Sequence, residues 1–306
     1  MGEAIGRGPT SAVYMAWLER PGRLLKRVAV KVLHAPEAVR EDIATHVRRV
    51  ARATALVAHP NVTTLYELGV LPTGEPLLVS EAVDGMSLAG LLEAYRAAGR
   101  RVPTDLALFI ATEIAEGLAG ARPTKSPEGR LLELSHLDLS PRSVLLSYNG
   151  EVKVEGFGLA MPLVDGSGVR NVRGLGQRIT GMAPEVVRGK GGDARSDVFS
   201  LGVVLHEMLV GPRFPAGTSD AEACALARDG EVYSDLLAPA LPQDLSDILG
   251  RCLSLDPKDR QAHAGVVAYD LRQVALRMGA SDARVFLRAA LFEMSEGKGV
   301  ERTDRD

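Results

Sequence analysis

Apolar positions fall into two regimes along this chain. Up to about residue 83 they come in short β-type runs, and beyond Gly85 they recur at helical spacing. Val28 to Leu33 is a β-branched run suited to a buried strand. Leu65 to Leu71 and Leu77 to Val83 read as two strands joined by Pro72-Thr73-Gly74-Glu75, a turn composition. Ahead of them, Glu37 to Ala58 sets Ile43, Val47, Val50 and Thr54 on one helical face, and His59-Pro60-Asn61 ends it. Leu106 to Ala119, Val198 to Leu209 and Leu245 to Leu253 also carry helical periodicity. Ser281 to Glu293 predicts a last helix with Val285, Phe286, Ala289 and Phe292 as its apolar residues. A strand-rich front of ~80 residues ahead of a larger helical part predicts an α+β, two-lobed architecture. The front lobe is expected over about 1–83, the second over about 84–275, the closing helix over 276–296 and a charged, disordered tail over 297–306. Arg122 to Arg130 reads as a polar loop, and the glycine-rich residues 163–178 as a mobile one.

Composition narrows the function classes. The 306 residues are 46% apolar and 25% charged, enough to fill a substantial core. A net charge of −3 argues against a nucleic-acid or membrane-surface role based on bulk electrostatics. Cys224 and Cys252 have no metal-ligand spacing and are expected as free thiols in a reducing compartment. No stretch reaches the ~18 apolar residues of a membrane helix, and Met1 to Gly8 has no signal-segment pattern, so a cytoplasmic location is expected.

Chemistry is carried by motifs in a fixed order. They run Gly6-Arg7-Gly8-Pro9-Thr10-Ser11, then Val28-Ala29-Val30-Lys31, then Ser80-Glu81-Ala82-Val83. Next come His136-Leu137-Asp138-Leu139, Glu155-Gly156-Phe157-Gly158 and Ala183-Pro184-Glu185, and finally Asp197-Val198-Phe199-Ser200-Leu201-Gly202 and Asp256-Pro257-Lys258-Asp259-Arg260. This order and spacing resembles the protein-kinase signature set, most nearly that of bacterial serine/threonine kinases of the eukaryotic-like type, over about residues 5–275. The glycine-rich segment starts at residue 6, earlier than is usual for such a segment, so a clipped or misassigned start and a weak first strand are expected.

The resemblance implies a nucleotide pocket. Gly6 and Gly8 would lie over phosphates, Lys31 would pair with them, and backbone groups of Glu81 and Val83 would meet an adenine edge. Val13, Ala29 and Leu145 would be the apolar walls. Asp138 falls where the family's catalytic aspartate accepts a hydroxyl proton. His136 and Phe157 would pack behind the site, Glu185 would pair with Arg260, and Asp197 would accept backbone N–H groups of the catalytic loop.

Departures from the pattern are concentrated where a metal is gripped. Gly156 stands where the family has its Mg²⁺-binding aspartate, and Ser143 stands in place of the asparagine that holds a second metal. Glycine has no side chain, and a serine hydroxyl is a shorter, weaker Mg²⁺ ligand than an amide carbonyl. The glutamate that should partner Lys31 falls near Val50, while Glu41 and Asp42 should face solvent, leaving Lys31 unanchored. Glu155, one place before Gly156, is expected to aim away from the phosphates because strand side chains alternate. Leu137 replaces the arginine that reads a phosphorylated loop, although Ser167 and Thr180 are phosphorylatable. Losing both metal ligands forfeits on the order of 4–7 kcal/mol of transition-state stabilisation, roughly 10³ to 10⁵ in rate. The leading reading is a pseudokinase that regulates or scaffolds signalling proteins, kinases among them, with an ATP pocket retained but no dependable Mg²⁺ site. An atypical, weakly active serine/threonine kinase and a metal-free ATP sensor stay open beside it.

Overall fold

The computed structural model describes residues 4–8, 11–22, 24–34, 40–158, 164–165, 168–169, 179–232, 241–279 and 283–296. The glycine-rich stretch 163–178, including Ser167, lies mostly outside these residues, and the tail 297–306 lies wholly outside them.

The front lobe is an antiparallel five-stranded sheet in the order β1-β2-β3-β5-β4. Its strands are β1 (Ala4–Arg7), β2 (Ser11–Arg20), β3 (Leu24–Leu33), β4 (Leu65–Val70) and β5 (Pro76–Glu81). Pleating sends Val28, Val30, Val32 and Val79 to one face, where they pack with Tyr14, Leu18 and Leu77. The other face carries Leu78, against which α1 (Arg40–Thr54) sets Val47 and Ala51. The helical face read from the sequence is therefore the packing face, and Glu41 and Asp42 are exposed. β1 spans 4 residues. β2 and the first half of β3 carried no sequence signal because Leu24, Leu25, Lys26 and Arg27 are all exposed, so burial left no alternation there.

The second lobe is built on α3 (Thr104–Ala121) and on a helix whose residues are buried almost throughout, Ala194–Leu209. A helix apolar on all sides must be surrounded by protein. α2 (Leu88–Ala97) is capped by Ser87, whose Oγ accepts the Gly90 N–H at 3.2 Å. In chain order the later helices are α4 (Pro184–Val187), α5 (Ala194–Leu209), α6 (Asp220–Asp229), α7 (Gln243–Cys252), α8 (Ala264–Arg277) and α9 (Ala283–Glu296). Each fully buried Leu or Ile of this core contributes roughly 1.5–3 kcal/mol. The packed stripe of α9 is Leu287, Ala290, Leu291 and Met294, whereas Val285, Phe286 and Phe292 are exposed, although Phe292 stacks on Tyr148 with centroids 5.7 Å apart.

A small sheet of β6 (Gly85–Ser87), β7 (Val144–Ser147) and β8 (Val152–Val154) lies where the lobes meet. Gly85 has to be glycine, since a Cβ there would meet the Leu146 carbonyl oxygen at 1.9 Å. Asn61 ties the front lobe to this sheet. Its Nδ2 donates to the Val152 carbonyl at 2.9 Å and to Glu113 at 2.8 Å, and its own carbonyl accepts the Val154 N–H at 2.8 Å. Cys224 and Cys252 are both free, and burial pushes the Cys252 thiol up to about 12. Among the described residues no helix is long and apolar enough to cross a membrane.

Candidate active site

Strand register decides what faces the cleft between the lobes. Val13 lies opposite Lys31, and Ala29 opposite Ser80, so these four side chains share the sheet face on which α1 packs. Below them Leu145 pairs with Lys153, on the opposite face of the small sheet from the buried Val144 and Leu146. Val13 and Ala29 thus share the face of the front sheet that carries Lys31, and Leu145 shares the face of the small sheet that carries Lys153. The segment after β5 is pinned to the lower lobe through Glu81, whose side chain meets Lys153 at 3.0 Å and accepts the Thr64 N–H at 3.2 Å. Val83 lies just beyond, half-buried. At the glycine-rich turn, the Gly8 N–H donates to the Ser11 carbonyl at 2.8 Å, and Gly6 sits opposite Val13.

Lys31 does not stand alone. Its Nζ donates to Glu155 Oε1 at 3.0 Å, both side chains being largely shielded from solvent. Two expectations are overturned here, that Lys31 lacks a partner and that Glu155 aims away from the cleft. The reason is the pleat. Lys153 and Glu155 share one side of the chain, and both reach up toward the front lobe. β8 ends at Val154, and Gly156, at φ +90°, turns the chain instead of continuing the alternation. Val50, where the sequence suggested a missing glutamate, does line the space behind this pair, with Ala51, Leu65 and Leu78, around a cavity of ≈ 40 Å³. α1 is instead tied to the Gly156–Gly158 turn by His46, whose Nε2 donates to the Gly158 carbonyl at 2.9 Å. Burial lowers the pKa of His46, so it makes this bond as a neutral ring.

The catalytic-loop residues form a tightly bonded group. His136 is buried, its ring 4.8 Å from that of Phe157. His136 Nε2 donates to the Glu155 carbonyl at 2.9 Å, and its Nδ1 accepts the Asp138 N–H at 3.2 Å. Burial pushes this imidazole down, which keeps it neutral. Asp197 accepts the N–H groups of His136 and Leu137, each at 2.8 Å. Burial drives its carboxyl up to about 7, against the pull of those two amides. Asp138 is half-buried at the mouth of this group. Leu137 adopts φ +61° and packs with Ile179, Met182, Val186 and Phe199.

Arg260 and Glu185 form a two-pronged pair, Nη1 to Oε1 at 2.7 Å and Nη2 to Oε2 at 3.0 Å, and Ser196 Oγ adds a bond to Glu185 at 2.6 Å. Burial alone would raise the Glu185 carboxyl, but Arg260 and Ser196 hold it below its usual range. A residue the sequence did not flag does related work. Arg213 is fully buried, and its Nη1 donates to the carbonyls of Thr180 and Met182, both at 2.9 Å. Burial lowers it only to about 10, so it stays charged. The segment it clamps presses on the catalytic loop, since a Cβ at Gly181 would meet the Leu139 carbonyl oxygen at 2.2 Å.

A family model for protein tyrosine and serine/threonine kinases matches residues 1–269. The chain belongs to the protein kinase family. Serine/threonine-protein kinase PknB of Mycobacterium tuberculosis is 31% identical over 279 residues, 90% of this chain and 42% of the relative. Tyrosine-protein kinase MasK of Myxococcus xanthus is 30% identical over 269 residues, 86% of this chain and 41% of that one. The kinase chain thus spans less than half the length of these relatives. Among solved structures, the kinase domain of Mycobacterium tuberculosis PknI aligns with a TM-score of 0.61 at 20% identity, covering 88% of this chain and 93% of that one, a likeness of fold.

Kinases generally use Mg²⁺ with ATP, and the donors at this site do not fit that ion. Gly156 offers no side-chain atom. The Ser143 hydroxyl is occupied, donating to the Ser140 carbonyl and accepting the Ser140 N–H, both at 3.0 Å. The Glu155 carboxylate is held by Lys31. Among the described residues no group of three or more His, Cys, Asp or Glu could hold a metal ion.

Proposed function

We propose that the chain is a kinase-fold regulatory or scaffolding module, a pseudokinase, acting on other signalling proteins in the cytoplasm, kinases among them. One observation carries this reading: the two ligand positions at the phosphate end hold a glycine and a serine whose hydroxyl is already satisfied. Phosphoryl transfer depends on positioning and on neutralising the phosphates, which the metal normally supplies. The surrounding framework is intact, including the His136–Phe157 contact, the Asp197 bonds and the Glu185–Arg260 pair. That combination suits a scaffold selected for shape rather than turnover.

A second reading, a weakly active atypical serine/threonine kinase, draws support from Asp138 and from a Lys31 that has an anchoring partner after all. Incubating the purified full chain with labelled ATP and a generic basic protein separates the two. The expected result is no label above that of an Asp138→Asn control. Label that vanishes in the control favours the atypical kinase.

A further inference from the structure

A groove on the flank of α1 stands apart from the cleft. One face of α1, with Val47 and Ala51, packs against the front sheet. The neighbouring flank opens onto a cavity of ≈ 760 Å³, large enough for several side chains of a ligand. Its far wall is the turn that precedes the catalytic loop. There Lys125 and Leu131 form an antiparallel bridge, and the Ser126 N–H donates to the Arg130 carbonyl at 2.8 Å. The floor is apolar, with Ala53 and Leu56 from the helix side and Leu132 and Leu134 from the turn. Leu56 is left 41% exposed. The rim is cationic. Arg49 and Arg52 stand one helical turn apart on α1, and Arg130 belongs to the opposite wall. Neighbouring arginines are paired, Arg48 with Glu41 at 2.6 Å and Arg122 with Glu133 at 3.7 Å. Among the described residues Arg49, Arg52 and Arg130 have no acidic partner, and Glu133 is the only carboxylate on the lining. His46 adds no charge, since its neutral ring accepts an Arg49 N–H at 3.4 Å.

We propose that this groove docks an acidic amphipathic peptide segment of a partner protein, its apolar side chains entering the floor and its carboxylates meeting Arg49, Arg52 and Arg130. Guanidinium groups bind carboxylates through paired hydrogen bonds, and a helix docked in a groove brings apolar anchors three or four residues apart. Two other anionic classes fit less well. A nucleic acid needs a basic stripe that tracks its backbone, whereas these arginines surround an apolar floor on a chain of net charge −3. A bilayer surface does not reach a floor recessed between a helix and a turn. The groove shares Val50, Thr54 and Phe157 with the small cavity behind Lys31 and Glu155. A segment docked there therefore touches side chains that help to set how α1 sits over the cleft. This inference rests on the scaffolding reading above and adds to it the chemistry of the partner.

Fluorescence anisotropy of the full chain with a labelled peptide of about twelve residues tests it, the peptide being built of Glu with Leu at every third or fourth position. Two comparison peptides carry Lys for each Glu, or Ser for each Leu. The acidic amphipathic peptide should bind with a Kd on the order of 10 μM, and each comparison peptide about tenfold more weakly or worse. Arg52→Glu and Arg130→Glu, both at exposed positions, should each weaken it about tenfold, and Leu56→Ser by a similar factor. Arg251→Glu, at an exposed position on α7, should leave it within about twofold. Four outcomes overturn the proposal. The first is no saturation by the acidic peptide up to about 1 mM. The second is binding of the Lys peptide as tight as that of the Glu peptide. The third is equal affinity in Arg52→Glu, Arg130→Glu and Arg251→Glu. The fourth is loss, on Arg52→Glu, of binding to phosphatidylserine-containing vesicles or to single-stranded DNA in a chain that ignores the peptide. The comparison of peptides needs no variant to fold. Because label transfer from ATP is read separately, a chain that fails this test and still transfers no phosphate leaves the pseudokinase reading standing.

Discussion

Replacing Gly156 with aspartate restores the carboxylate that the family places there, and the structure sets both the cost and the gain. Gly156 has φ +90°, in the left-handed region, where an L-residue costs roughly 1–2 kcal/mol, aspartate lying at the low end because its side chain bonds locally. At about 2–4 °C per kcal/mol for a chain of this size, Gly156→Asp should lower the melting temperature by about 2–6 °C. The gain appears only with metal. A divalent ion ~4 Å from one carboxylate gains about 2 kcal/mol even at the dielectric of water. Partly offset by desolvation, that leaves about tenfold in affinity, or ~1.4 kcal/mol. ATP affinity measured by calorimetry in EDTA and in Mg²⁺ gives the readout. Gly156→Asp should bind ATP about tenfold more tightly with Mg²⁺ than without, and more weakly than the unmodified chain in EDTA, because the added carboxylate repels the phosphates. A variant that melts as expected yet gains no Mg²⁺ dependence would refute the claim that position 156 is the decisive loss.

Three further predictions concern the frame. Arg260→Met strands the Glu185 carboxylate in a largely buried position, so stability measured by urea denaturation should fall by roughly 3–5 kcal/mol, with partial recovery on adding Glu185→Gln. Equal losses in the single and double variants would contradict the pairing. Glu185 sits below its ordinary pKa when folded, so its contribution is complete above about pH 4.5 and fades as pH falls through the folded value. The melting-temperature advantage of the unmodified chain over Glu185→Gln should therefore shrink on acidification, and a constant gap contradicts it. Leu137→Arg places a charge among Ile179, Met182 and Phe199 and should cost roughly 2–4 kcal/mol. An unchanged urea midpoint would mean that Leu137 is not packed as described.

The two-lobed fold was legible because burial imprints itself on sequence. Val28 to Leu33 and the Ile43–Thr54 face met apolar partners on both sides of the front sheet and kept their periodicity. The first half of β3, all exposed, carried no such imprint. In α9 the sequence named apolar residues without selecting a face, because they occur all round that helix, and only the contacts with α2 and α3 select Leu287 and Leu291. At the site, side-chain types and their order were readable, including the serine and glycine at positions 143 and 156. The partner of Lys31 was not. Finding it needed Glu155 to be counted on the same side of the pleat as Lys153, and no local motif states which side faces the cleft. Arg213 left no signal either, since a buried arginine bonded to backbone carbonyls looks in sequence like any surface arginine.

The most direct measurement is the ATP affinity of the unmodified chain in EDTA against that in excess Mg²⁺. A site without metal ligands predicts affinities within about twofold of each other. A tenfold tightening by Mg²⁺ would mean that the cleft grips the ion through groups other than those at positions 143 and 156, and would contradict the account at its centre.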